Sequence, residues 1–150
     1  MALYDALAAF SRGGLLRFGV ETLLRGPMLL LRAMALLLVP WTLVLALAPG
    51  AQWFPSPWVQ AGWVLFDACV APALYALTVR WRPRLALGLA VAVTADAVLT
   101  LAQALLFNLP RVRGVLDAAV VAASLAAPSF AAFLLWRARA HRARALQGQA

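Results

Sequence analysis

In this chain of 150 residues, 65% are hydrophobic and only 12% charged, whereas a soluble domain runs nearer half apolar and a quarter charged. One core of this size cannot hide so much apolar surface, so the excess must face lipid or other proteins. The net charge of +8 arises from thirteen arginines and no lysine; these sit at the ends of apolar runs, where positive charge orients a membrane protein, which argues against nucleic-acid binding. Arginine without lysine, beside abundant Ala and Leu, also points to a GC-rich bacterial source.

The first 27 residues read as a cytoplasmic, interfacial segment. Asp5, Arg12, Arg17, Glu21 and Arg25 interrupt them, so no cleavable signal with a short apolar core is expected. Leu16, Val20, Leu23 and Leu24 share one face of a helix, while Arg17, Glu21 and Arg25 line the other at i, i+4 spacing. Gly13 and Gly14 separate this stretch from an apolar patch of Leu3, Leu7 and Phe10. Such a segment lies on anionic lipid or on a partner subunit.

Four runs then meet the length of about 20 apolar residues that a membrane crossing needs. They are expected over residues 28–48, 58–79, 85–107 and 115–136, joined by short connectors punctuated by Pro and Gly. Residues 137–150 form a basic tail. The expected fold is therefore all-α: four transmembrane helices in an antiparallel bundle, preceded by the short N-terminal amphipathic helix. Eleven arginines flank one side of these spans and only Arg111 and Arg113 the other. The positive-inside rule puts both termini in the cytoplasm of a bacterium, with the spans in its inner membrane. Trp53 and Trp58 then mark the outer interface, and Trp81 and Trp136 the inner one.

The spans differ in how readily they enter lipid. Leu, Val and Phe in the third contribute roughly −3 to −7 kcal/mol, which offsets a central Asp96; those of the second contribute roughly −2 to −5 kcal/mol, which Asp67 nearly cancels. The second span is expected to enter as a hairpin with the first. Pro40, Pro72 and Pro128 fall inside the first, second and fourth spans, where each removes a backbone donor. Ala119, Ala123 and Ala127, and likewise Gly88 and Ala92, form small-residue stripes suited to close helix packing, within the chain or between chains.

Asp67 and Asp96 are the candidate chemical groups. Asp67 lies about 13 Å below the outer end of its span and Asp96 about 16 Å below the outer end of its own. Both fall near the bilayer midplane on sequential helices, with no arginine in the interior of the second, third or fourth span. Asp96, Thr100 and Gln103 share one face at i, i+4, i+7, and Asn108 follows near its outer end. This face reads either as a proton or cation path with exchangeable carboxyls, or as inter-helix polar contacts that hold the bundle together. Asp117 is expected to form an interfacial ion pair with Arg111 and Arg113.

Other chemistry is excluded or scarce. His141 is the only histidine and lies in the tail, so the spans hold no histidine pair for haem and no histidine metal site. Cys69 is the only cysteine, which rules out an internal disulfide or a CxxC pair, and is expected to be a small buried hydrophobe. No catalytic residues, metal or cofactor are expected, bound lipid apart. Three functions fit. The foremost is a non-enzymatic subunit or assembly partner of a larger membrane complex, contacting lipid and other membrane subunits or its own copies. The second is a homo-oligomeric channel or a proton- or cation-coupled transporter using Asp67 and Asp96. The third is a lipid-handling membrane enzyme.

Overall fold

The computed structural model describes residues 27–147, and the amphipathic segment expected before the first span lies outside them. Helix α1 spans Pro27–Leu47, α2 Pro57–Val79, α3 Pro83–Gln103 and α4 Val115–Gln147. Among the described residues, these four helices are long and apolar enough to cross a membrane.

Local chemistry explains where they start and stop. Helix α1 ends just before Pro49 and Gly50. Ser56 caps α2, its hydroxyl accepting from the Val59 amide at 3.3 Å, and Pro57 supplies a first-turn φ already suited to a helix. Arg80 and Arg82 adopt extended backbone before Pro83 opens α3, as the residue before a proline prefers. Asp117 in the first turn of α4 and Arg144 in its last complement the helix dipole.

Two boundaries depart from the expected ones. Helix α3 does not stop near 107: it runs into a π-helical turn, Ala104–Asn108, and a 3₁₀ turn, Leu109–Arg111. Helix α4 continues past residue 136 to Gln147, so most of the basic tail is an extension of the last helix. The arginines stabilise that extension by lying over rings. Arg139 sits 5.5 Å from the Trp136 ring centre and Arg142 4.9 Å from that of Trp81, and Arg139 also donates to the Pro83 carbonyl at 3.2 Å.

Packing is uneven along the helices. Helix α1 packs mainly on α2 and α3 mainly on α4, with smaller contacts between α1 and α4 and between α2 and α3. The buried core gathers Leu31 and Ala35 of α1, Leu74 and Leu77 of α2, Ala86, Leu89, Ala90 and Val93 of α3, and Ala131, Ala132, Leu134 and Leu135 of α4. These are the halves next to the Arg80–Arg84 connector. The other halves contribute few buried apolar residues. The apolar core is thus concentrated toward one, closed end, and a cavity opens toward the other, open end.

Most of the two small-residue stripes is open and not packed inside the chain, Ala92 alone being half-buried. Ala119, Ala123 and Ala127 are exposed, and a Cβ added at Gly88 would meet nothing within 4 Å. Cys69 is likewise exposed, on the outward side of α2, where the sequence suggested burial. An apolar face pays no penalty for facing lipid, so hydrophobicity alone does not say which side of a membrane helix points inward.

Candidate functional site

The open end encloses a cavity of about 650 Å³ lined by all four helices. Asp67, Asp96, Thr100, Gln103 and Asn108 all line it. The polar face read from α3 and the carboxyl of α2 are therefore brought to one space.

Asn108 reaches that space through the π turn. At about 100° per residue, an uninterrupted α-helix would carry Asn108 about 120° away from the face of Asp96. A π turn absorbs one extra residue without advancing the face. The five-residue turn Ala104–Asn108 thus returns Asn108 to within about 20° of Asp96. Such turns recur at functional sites.

The polar groups are satisfied unequally. Gln103 is fully engaged: its Nε2 donates to the Trp53 carbonyl and its Oε1 accepts from Trp63 Nε1, both at 2.9 Å. This amide ties α3 to α2 and to the connector after α1. Thr100 donates its hydroxyl to Asp96 Oδ1 at 3.2 Å. By contrast, Asp67 is only 7% exposed and accepts no hydrogen bond from the described residues. Asn108 is 8% exposed, and its Oδ1 is buried without a partner. Buried polar groups are nearly always paired, and an orphan acceptor costs about 1–3 kcal/mol. No arginine or histidine lines the cavity. Among the described residues no three His, Cys, Asp or Glu side chains gather to hold a metal.

The cavity has a mouth. Its lining residues on α2 and α3 are buried or half-buried, whereas Leu37, Pro40 and Val44 of α1 and Val120, Ala123 and Ala127 of α4 are exposed. The opening therefore lies between α1 and α4 and faces outward through apolar side chains. Pro40 and Pro128 line the cavity from these two helices, each lacking the N–H that would bond one turn back. A second groove of about 480 Å³ lies between α2 and α3. Asp96, Gln103, Trp63 and Phe66 line both spaces and form the wall between them.

Asp117 is held otherwise than its neighbours in sequence suggested. Its Oδ2 accepts from the backbone N–H of Arg113 at 3.0 Å, and its Oδ1 accepts from Gln52 Nε2 at 3.5 Å. The Arg111 guanidinium lies 3.7 Å from the Phe107 ring centre and donates to the Phe107 carbonyl. The backbone amides at the start of a helix point along its axis, so a carboxylate four residues on meets an amide sooner than a flexible guanidinium.

Sequence reasoning passed over Gln60 and Trp63, and took Trp53 only as a marker of the outer interface. Gln60 Nε2 donates to the carbonyls of Leu45 and Ala48 at 2.7 and 3.1 Å, satisfying acceptors that the end of α1 leaves open. Gly50 makes room for it, since a Cβ there would lie 1.9 Å from Gln60 Oε1. The available signal was an amide inside an apolar run, which in lipid needs a partner. No protein-family model, curated protein or solved structure matches the chain.

Proposed function

We propose that this chain is an integral protein of a bacterial inner membrane, an antiparallel four-helix bundle with both ends in the cytoplasm, that carries a proton or cation on Asp67 and Asp96. The amphipathic segment within residues 1–27 lies on the cytoplasmic leaflet. Support for the orientation comes from the tight end, where Arg80, Arg82, Arg84 and the arginines of the α4 extension collect.

One observation carries the functional reading: both carboxyls open into a single cavity within one chain, and Asp67 has no protein partner among the described residues. A carboxyl kept only to lock helices together would spend its oxygens on donors across the interface. An acid left facing a space inside lipid is suited to exchange a proton or to hold a cation in passing. All the residues invoked for this reading belong to one chain, so it does not call for a symmetric pore.

The test is proton entry into liposomes that hold the purified protein and an entrapped pH dye, driven by an imposed potassium diffusion potential. Wild-type protein should acidify the lumen severalfold faster than Asp67→Asn or Asp96→Asn. Equal rates in all three would remove the carboxyls from the mechanism.

A second reading, a subunit or assembly partner of a larger membrane complex, is favoured by the exposed stripe of Ala119, Ala123 and Ala127, the last two at the rim of the cavity. Small residues on a lipid-facing surface let another helix approach closely. Native mass spectrometry from the source membrane separates the readings: defined partner chains support the subunit, and a free monomer or pure homo-oligomer counts against it.

A further inference from the structure

We infer that the cavity at the open end binds a lipophilic amine cation, one with N–H donors on an apolar, ring-sized body, entering sideways from the membrane between α1 and α4. The inference rests on the reading of Asp67 and Asp96 as working groups and adds the class of ligand they take.

Two carboxyls with no arginine or histidine beside them point to a cation. Trp63 Nε1, Gln103 Nε2 and Thr100 Oγ1 are already spent on protein acceptors, whereas the Trp41 and Trp53 indoles and the Asn108 amide, which also line the cavity, donate no side-chain hydrogen bond among the described residues. The buried acceptors left over are the Asp67 carboxyl and the Oδ1 of Asn108. A ligand that brought only acceptors would leave these unpaired, and an anion would meet two carboxyls with no arginine to offset them. A protonated amine supplies both the positive charge and the N–H groups.

Shape and surroundings give the rest of the ligand. Trp41, Trp53, Phe54, Trp63 and Phe66 line the same space, and aromatic faces attract cations while packing on flat apolar bodies. A volume of about 650 Å³ is within the range of drug-sized ligand sites. The mouth is rimmed by exposed Leu37, Val44 and Val120, side chains that would face acyl chains. A ligand dissolved in the bilayer meets this opening without first crossing water.

The experiment uses the full chain in phosphatidylcholine nanodiscs, whose lipid carries no net charge to concentrate amines electrostatically, with empty nanodiscs as the blank for partitioning into the bilayer. Naphthylethylamine and its uncharged counterpart naphthylethanol are titrated calorimetrically. The amine should bind saturably, one per chain, about tenfold or more tighter than the alcohol, as expected for charge-assisted hydrogen bonds. Asp67→Asn should abolish that preference. Val44→Trp, at the mouth and away from the polar groups, should weaken both ligands together. Alcohol binding as tight as amine binding, or a preference that survives Asp67→Asn, overturns the inference. If amine binding fails while proton flux still depends on Asp67, the ligand class is wrong and the carrier reading stands. If neither depends on Asp67, both fall.

Discussion

Asn108 shows at the residue scale how a site differs from a core. Its Oδ1 is buried and unpartnered, so an isosteric apolar side chain would relieve a desolvation cost. Asn108→Leu is expected to stabilise the ligand-free protein by about 1–3 kcal/mol, seen as a higher midpoint of thermal unfolding in nanodiscs. A lower midpoint would mean that Asn108 has a partner that matters to the fold. Gln103 is the opposite case, since both ends of its amide are engaged and its loss leaves an indole and a carbonyl unpaired. The two amides lie on one helix five residues apart, yet one is a strut and the other is free to meet a ligand.

Among the elements, α2 and α3 carry the consequences. The second span is the least hydrophobic of the four and holds the buried Asp67. Its docking on α1, through Gln60 and the Leu45 and Ala48 carbonyls, compensates for a carboxyl that lipid disfavours. A segment of residues 55–84, placed alone in a glycosylation-mapped insertion assay, should insert poorly, and adding the first span should restore insertion. Full insertion of the isolated segment would contradict this. The π turn of α3 makes a sharper prediction. Leu106 within it is 82% exposed, and deleting it should let the turn relax to α-helix with Asn108 still on the Asp96 face. Deleting Leu99, upstream of the turn, instead rotates Gln103 and Asn108 by about 100°. The first deletion should keep the thermal midpoint near that of the wild type, and the second should lower it; equal losses would show that the turn is not what sets the register.

The whole molecule is divided into a closed end and an open one, and stability should follow that division. Leu134 is 0% exposed in the closed end, while Val120 is 40% exposed at the mouth. Leu134→Ala removes side-chain contacts that cannot be replaced and should cost about 2–5 kcal/mol. Val120→Ala should cost less than about 1 kcal/mol, because its neighbours are already sparse. Comparable losses at both positions, measured by unfolding in the same nanodiscs, would mean that the two ends are packed alike. Low packing density at the mouth also locates where helices can part, since regions with few buried contacts open first.

By themselves, the amino acids determined four apolar helices, their connectors, and the placing of Asp96, Thr100 and Gln103 on a common face. Length, proline punctuation and helical periodicity are local properties, legible along the chain. Only the tertiary structure decided that Asp67 joins that face across one cavity, that a π turn brings Asn108 to it, and that Asp117 meets an amide instead of a guanidinium. It also turned the alanine stripe and Cys69 outward. The reason is physical: in a membrane both sides of a helix are apolar, so composition does not distinguish an inward face from a lipid-facing one. Which carbonyls and amides pair depends on groups far apart in the chain coming within 3 Å or so of one another.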